Sequence, residues 1–160
     1  MFQVDARTSE VTFELPATGH DVQGVFKVTS SEIRFDPRGG PASGEIVVEA
    51  KSGRTGNATR DNTMHTKVLE SADFSRIVFR PSAIDGELAL KGESAITIRG
   101  TMSIHGLDHP MSLPATVNVT ANHVTGRTSF VIPFVAWGMK DPSVFVLRVA
   151  KEVRVRVVLQ

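Results

Sequence analysis

The residues best suited to chemistry in this chain are two histidines that lie close together. His105 and His109 enclose the stretch HGLDH, and Asp108 stands between them. Two imidazoles and a carboxylate are ligands that zinc and related metals accept. In zinc proteases such histidines share one face of a helix, whereas HGLDH has the composition of a tight turn. The stretch therefore leaves one alternative open, a metal-binding protein or metal-dependent enzyme that uses this turn.

Other signatures of catalysis are missing from the sequence. The chain has no cysteine, which excludes disulfides, zinc–thiolate sites and thiol nucleophiles. It contains no G-x-S-x-G elbow, no P-loop and no G-x-G-x-x-G fingerprint. His20, His65 and His123 stand singly, in positions typical of solvated or capping side chains. We therefore predict no catalytic residue, no metal ligand set and no cofactor for catalysis.

The composition is that of a soluble globular protein. Hydrophobic residues make up 41% of the 160 residues and charged residues 22%. The net charge of +1 gives no electrostatic reason to expect nucleic acid as a partner. No apolar run approaches the ~20 residues of a membrane-spanning helix, so stable membrane insertion is not expected. The first residues show no signal peptide, so we expect a periplasmic location if a leader has been removed and a cytoplasmic one otherwise.

Strict alternation of apolar and polar residues recurs along the chain and predicts β-strands with one buried face. In the clearest case, Ile96, Ile98 and Met102 face one way and the intervening polar residues face the other. Turn-forming segments such as Asp36–Gly44 separate the strands, and ELALK (Glu87–Lys91) alternates like a further strand. Roughly nine or ten strands are predicted on this basis.

These strands predict an all-β fold with a single antiparallel barrel. No crossover of a dozen helical residues links them, so neighbouring strands should be antiparallel. A sheet of this many strands tends to curl, and closure removes its exposed edges. Long strands such as Ala95–His105 favour a barrel over the alternative two-sheet sandwich, since they span its full height. No linker or repeat is visible, so one domain is expected over residues 1–160.

One segment, Asn57–Ser71, interrupts the alternation. Met64, Val68 and Ala72 recur at helical spacing and predict one short helix over about residues 58–71. Several charged residues fall off this apolar stripe: Arg60, Asp61, Lys67 and Glu70. Since both ends of the segment join strands, the helix should pack near one opening of the barrel. A second short helical piece is predicted after Pro142, where Asp-Pro resembles a helix start.

The predicted inward residues are rich in Phe, Met and branched aliphatic side chains. Such residues either fill a barrel of about eight strands as packed core or surround one elongated apolar cavity. The candidate ligand-binding residues of the interior are Phe13, Phe26, Phe35, Val48, Met64, Val68, Phe79, Ile98, Met102, Leu113, Phe130, Ile132, Phe134 and Trp137. The candidate contacts for a ligand head group or for the cavity mouth are Arg60, Asp61 and His65.

A series of motifs covers almost the whole chain in a fixed order. They are EIRFDP at 32–37, GEIVVEAKSGRTGN at 44–57, Arg60-Asp61, MHTKVLESADF at 64–74, IVFRP at 77–81, ITIRGTMSIHGLDHPMSLPATV at 96–117 and FVAWGMKDPSVFVLRVAKEVRVRV at 134–157. In this order the chain resembles the YceI-like family, which are lipocalin-like polyisoprenoid-binding proteins.

The resemblance implies a lipocalin-like barrel around an elongated apolar channel, with the helix near one opening. It implies binding, storage or transport of a long-chain amphiphile without catalysis: a polyisoprenoid, an isoprenoid quinone, or a fatty acid or amide. The expected partner is this small lipid ligand, and an isoprenoid lipid or quinone is the only bound group expected. Arg60 and Asp61 match the family's polar pair at the helix start, where they either touch a head group or brace the loop. A homodimer is compatible with such a barrel.

Overall fold

The computed structural model describes residues 2–3, 9–143 and 148–159, and most of them are in β-strands. The strands of this part of the chain are β1 Phe2–Gln3, β2 Glu10–Leu15, β3 Val22–Phe35, β4 Gly40–Arg54, β5 Arg76–Asp85, β6 Gly92–Ile104, β7 Leu107–Val119, β8 Val124–Ile132 and β9 Val153–Leu159. Between β4 and β5 lies the helix α1, Ala58–Thr63, which continues as one π-helical segment, Met64–Val68. We call residues 58–68 the mouth helix. No helix among the residues described is long and apolar enough to cross a membrane.

Eight of the strands close into an antiparallel barrel, as the alternation predicts. Each of them pairs with two neighbours, in the order β3-β2-β9-β8-β7-β6-β5-β4 and back to β3. The ring closes because β3 is long enough to use both of its edges. Its first half pairs with β2, where Phe26 lies opposite Val11, and its second half pairs with β4, where Phe35 lies opposite Ala42. The prediction of a barrel with one short helix is confirmed, and the two-sheet sandwich is excluded.

The alternating residues of these strands place their apolar side chains inside the ring. In one row across three strands, Val155 of β9 lies between Phe13 of β2 and Phe130 of β8. The ring of Phe13 also contacts that of Phe26, with centroids 5.4 Å apart. Aromatic and β-branched side chains stabilise such cross-strand neighbours by about 0.2–1 kcal/mol for each pair. These inward side chains form the inner wall of the barrel.

One end of the barrel is closed by its own side chains. A second buried cluster, here called the plug, consists of Ile84, Leu88, Ile96, Ala115 and Val117. These residues come from the end of β5, the start of β6, the end of β7 and the loop between β5 and β6, which all meet at the end opposite the mouth helix. The barrel therefore has a plug end and a helix end.

The predicted strand ELALK is wrong, and the plug explains why. Residues 86–91 form a loop in which the Leu88 N–H donates to the Pro37 carbonyl at 2.7 Å instead of joining a ladder. Leu88 is buried in the plug, whereas Leu90 is 94% exposed. Alternation over so short a stretch does not distinguish a strand from a loop that turns one leucine inward.

The helix begins where the sequence predicts and ends earlier. The Asn57 carboxamide oxygen accepts the Arg60 N–H at 3.0 Å, which caps the first turn. The last turn widens, because the Leu69 N–H donates to the Met64 carbonyl at 2.8 Å. Glu70 then adopts φ +50°, which ends the helix at Val68 and leaves Ala72 exposed. The second helical piece predicted after Pro142 falls largely on residues 144–147, which lie outside the described residues.

Candidate ligand-binding cavity

The barrel encloses an apolar cavity of about 570 Å³ that opens at the helix end. Most of the residues predicted for the interior line its wall: Phe13, Phe26, Val48, Met64, Val68, Phe79, Ile98, Met102, Leu113, Phe130, Ile132 and Phe134. Further apolar residues of the wall were not among these candidates, and they include Leu15, Val22, Ile33, Val157 and Leu159. Their strand parity matches that of the candidates, so the same alternation could have identified most of them.

Phe35 and Trp137 lie outside the cavity wall. Phe35 ends β3 at the plug end, where it packs against the plug instead of the cavity. Trp137 lies in the irregular segment after β8, in a turn closed by its own N–H to the Pro133 carbonyl at 3.0 Å. Its ring stacks on His109, with centroids 3.8 Å apart and planes at 4°. Phe35 keeps the inward parity of β3 but lies at the end that the plug fills, and Trp137 follows the end of β8, where strand alternation no longer applies.

The mouth helix covers part of the helix end and lies close to β4. A Cβ atom on Gly53 would come within 2.6 Å of the Phe26 ring and 2.9 Å of the Met64 methyl group. Glycine at this position therefore allows the helix to bring Met64 against Phe26 on the cavity wall. His65 strengthens the same contact from the other side, since its Nε2–H donates to the Gly53 carbonyl at 2.8 Å.

His65 does not line the cavity. Because a carbonyl oxygen only accepts, its Nε2 carries a hydrogen, and its Nδ1 shares a hydrogen bond of 2.8 Å with the Ser71 hydroxyl. Ser71 is 2% exposed, so this pair is a buried structural tie between the end of the mouth helix and β4. Of the three mouth candidates, His65 is thus a brace.

Arg60 and Asp61 both bind Thr55, but only Arg60 lines the cavity. The Asp61 carboxylate accepts the Thr55 N–H at 2.9 Å and the Thr55 hydroxyl at 2.6 Å. The Arg60 guanidinium donates to the Thr55 hydroxyl oxygen at 2.9 Å and to its carbonyl at 3.1 Å. Asp61 therefore braces the loop before the helix, and Arg60 combines a brace with a place on the wall.

The Arg60 guanidinium keeps donor capacity toward the cavity. A guanidinium has five N–H donors, and the two bonds to Thr55 use Nε and Nη2, which leaves Nη1 unused. No carboxylate among the described residues forms an ion pair with Arg60 within 4 Å. The side chain is half-buried. A cation without a counter-ion at the edge of an apolar cavity favours an anionic or strongly accepting group beside it.

Polar residues of the wall gather around Arg60 at the helix end. Apart from Thr128, they are His20, Thr55, Asn57, Thr59, Arg60 and Thr63. The sequence contained a signal for the helical part of this rim. Arg60 precedes Met64 by four residues, so it continues the Met64–Val68 stripe backward, and the prediction that it falls off the stripe is wrong. The helical repeat places Arg60 on the same face as Met64, which agrees with its prediction as a contact at the mouth.

The three polar residues of the HGLDH turn point to different partners. The turn has two residues with positive φ, His105 at +53° and Gly106 at +78°, as a tight hairpin of type I′ requires. His105 Nε2–H donates to the Glu70 carboxylate at 2.6 Å, the Asp108 carboxylate accepts the Ser103 hydroxyl, and His109 stacks on the tryptophan ring described above. No group of three or more His, Cys, Asp or Glu side chains in the described ranges could hold a metal ion.

The turn instead fixes the segments around the mouth. Glu70 and His105, the residues that form the 2.6 Å bond, are also the two non-glycine residues with positive φ among those described. The Phe74 ring packs on His105 with centroids 4.6 Å apart, and a Cβ atom on Gly106 would meet that ring at 2.7 Å. Strained backbone of this kind persists where surrounding contacts hold it. The end of the mouth helix is therefore firmly attached to the β6–β7 turn.

The loop after β8 contributes an acidic group near the opening. Asp141 precedes Pro142, which lines the cavity. Hydrogen bonds from the Ser143 hydroxyl and from the Ser143 N–H, the latter at 2.9 Å, hold the pKa of Asp141 below its ordinary value. Lys151 and Arg148 add a weaker attraction in the same direction.

Comparison with known proteins identifies the family. The family model that describes the YceI-like domain matches residues 2–160 of this chain. The chain belongs to the YceI-like family. This confirms the resemblance carried by the sequence motifs. No curated protein sequence matches the chain at a significant level.

Several solved structures share the architecture of this barrel. BcnA of Burkholderia cenocepacia has a TM-score of 0.82 and 23% identity over 98% of both chains. A polyisoprenoid binding domain from Saccharophagus degradans, implicated in plant cell wall breakdown, has a TM-score of 0.81 and 17% identity over 98% of this chain and 95% of that one. A YceI protein of Campylobacter jejuni has a TM-score of 0.65 and 17% identity over 88% and 86%. At these identities the similarity shows a common fold.

Proposed function

We propose that this YceI-like barrel binds a long-chain amphiphile in its cavity and stores or transports it without chemical change. The ligand classes are polyisoprenoids, isoprenoid quinones, and fatty acids or amides. The observation that carries the proposal is an apolar cavity of about 570 Å³ with a polar rim at its opening. That volume falls within the range of about 300–1,000 Å³ typical of small-molecule sites. The Saccharophagus neighbour, which is described as a polyisoprenoid binding domain, supports the same class.

The cavity volume limits how much of a chain is enclosed. A water molecule takes ~30 Å³ of liquid volume, and a methylene group is of similar size. A cavity of 570 Å³ therefore holds about twenty carbon atoms. This length matches a fatty acid or a short prenyl chain. A longer polyisoprenoid would leave part of its tail outside, or the wall would have to widen. We therefore propose that about twenty carbons are buried, whatever the full length of the ligand.

The head group lies at Arg60 in this proposal. Burial of apolar chain alone gives no advantage over a bilayer, because the bilayer is equally apolar. The free Nη1 donors of Arg60 and the neighbouring rim of Thr and Asn side chains offer contacts that a lipid tail environment lacks. Asp61 and His65 act here as braces that hold the mouth helix and Arg60 in place. A carboxylate, a phosphate or a quinone carbonyl would each accept from Arg60.

The chemistry of the wall supports binding without catalysis. Of the described residues that line the cavity, only His20 and Arg60 carry an ionisable side chain. No carboxylate, lysine or cysteine of the described residues lines it, so a general acid–base pair has no second member there. A homodimer remains a prediction, which sedimentation velocity would test.

Extraction of the purified protein with organic solvent, followed by mass spectrometry, tests the proposed function. We expect one amphiphile per chain or less, and uptake of a fluorescent fatty acid by the emptied protein. The matched variants are Val157→Phe and Val158→Phe, since Val157 lines the cavity and its neighbour on β9 does not. We expect V157F to shorten the longest fatty acid bound by several carbons and V158F to leave it unchanged. Equal behaviour of the two variants, or no lipid and no uptake in the wild type, would overturn the proposal.

A further inference from the structure

Two segments cover the helix end, and both are attached to the same β6–β7 turn. The first is the mouth helix, which His105 holds through Glu70. The second is the segment Pro133–Met139, here called the tryptophan turn, which His109 holds through Trp137. Phe134 and Met139 of the tryptophan turn line the cavity and are 5% and 3% exposed. These covers border the opening, so movement of either one would widen the route for ligand exchange, which rests on the proposed function.

The two covers differ in the number of hydrogen bonds that attach them to the rest of the barrel. The mouth helix has five side-chain hydrogen bonds to β4 and to the loop that follows it, formed by Arg60, Asp61 and His65, besides the 2.6 Å bond of Glu70. Charge-assisted bonds such as the last are roughly twice as strong as neutral ones. To move this cover, several partly buried polar groups would have to lose their partners at once.

The tryptophan turn has few such ties. Its hydrogen bonds among the described residues are internal or reach the adjoining ends of β8 and β9, and the bond that reaches Lys151 spans 3.4 Å. Its contact with the β6–β7 turn is the stack of Trp137 on His109. The Nε2 atom of His109 is buried in this stack without a hydrogen-bond partner. A buried polar atom without a partner destabilises the arrangement that buries it.

We propose that the tryptophan turn is the cover that moves, and that the His109–Trp137 stack is its latch. The buried nitrogen keeps the latch weak, so that the turn can swing outward while the mouth helix stays in place. When the turn moves, Phe134 and Met139 leave the cavity wall and open the route for the ligand. His109 is thus a positioning residue for ligand exchange, although it lies outside the cavity.

Substitution of His109 tests the latch in a direction that simple damage would not produce. His109→Phe keeps a flat ring on Trp137 and removes the unpartnered nitrogen, so it should strengthen the latch. We expect uptake and release of a fluorescent fatty acid to slow by about fivefold each, with Kd within about twofold of wild type, in stopped-flow measurements. Trp137→Leu, which removes the stack, should accelerate both rates. The matched control is His123→Phe, at an exposed turn of the plug end, which should change neither rate.

A second pair of measurements separates this proposal from the proposed function. Trp137 is the single tryptophan of the chain, so acrylamide quenching of intrinsic fluorescence reports the latch in the ligand-free protein. We expect weaker quenching in H109F than in wild type or H123F. If no amphiphile binds any variant, the proposed function fails while quenching still decides whether the latch exists. Unchanged quenching in H109F, or a larger change of exchange rates in Glu70→Gln than in H109F, would show that the tryptophan turn is not the moving cover.

Discussion

Replacement of Arg60 by methionine should remove the preference of the cavity for an anionic ligand. Methionine retains an unbranched apolar side chain that adapts to the wall, so the change is mainly the loss of the guanidinium. The Thr55 hydroxyl and N–H keep Asp61 as acceptor, so the loop before the mouth helix stays braced. The substitution therefore removes the Arg60 donors, both the two that bind Thr55 and those left for a ligand, while the bonds between Thr55 and Asp61 remain.

The size of the effect follows from the exposure of the group. A hydrogen bond to a charged partner contributes about 1.5–3 kcal/mol when it is formed in a protein. Arg60 is only half-buried, and solvent screens a charge at such a position, so the lower value is appropriate. About 1.5 kcal/mol corresponds to roughly a tenfold increase in Kd. A fatty alcohol of the same chain length cannot present a carboxylate, and its Kd should change by less than about threefold.

Competition against a fluorescent fatty acid measures both ligands on the same protein. Arg54→Met is the matched control, because Arg54 lies six residues earlier at the exposed end of β4 and does not line the cavity. We expect R60M to bind the acid and the alcohol with similar Kd, and R54M to behave as wild type. Equal losses for acid and alcohol in R60M, or the same loss in R54M, would refute the assignment of the head group to Arg60.

Two further predictions concern stability. Leu88→Ala should lower the free energy of unfolding by about 2–4 kcal/mol, because it leaves a void in the plug, whereas the exposed Leu90→Ala should stay within about 0.5 kcal/mol in urea denaturation. Similar losses would mean that the loop does not close the barrel. Asp141→Asn should lower stability at neutral pH, because the folded pKa of Asp141 is depressed and the carboxylate form is favoured in the native state. The difference from wild type should be full above about pH 5 and shrink as pH falls through the ordinary Asp value of about 3.9 toward the folded value. It should persist in 1 M salt, because hydrogen bonds and not distant charges are the main cause, and its loss in salt would contradict that cause.

The strand alternation predicted the barrel and most of the cavity wall because it is a local property. Val11, Phe13 and Leu15 share one face of β2 whatever the partner strand is. The same rule fails at strand ends. Phe35 has inward parity but lies at the plug end, and Trp137 follows β8 in a turn that has no alternation. Which end of a barrel is filled depends on loops such as 86–91, whose contacts are made with residues far away in the chain.

Polar residues were predicted less well than apolar ones for a related reason. A histidine has the same composition signal whether it binds metal, braces a helix or stacks on an aromatic ring. His65, His105 and His109 each have a different partner. The sequence separations between these histidines and their partners match no helix or strand repeat, so the sequence does not reveal the contacts. The sequence predicts Arg60 as a contact at the mouth but places it off the apolar stripe, whereas it continues that stripe and lines the cavity. Burial of a cation beside an apolar wall becomes visible only once the barrel is assembled around it.

The plug closes one end of the barrel, and this would fix the orientation of any amphiphile bound in the cavity. Under the proposed function, an apolar tail would enter toward Ile84 and Ile96, and its hydrophilic end would stay beside the opening. Loading and unloading would then use the same opening, and passage through the barrel from one end to the other would be blocked. A carrier of this kind would have to turn around between the two steps.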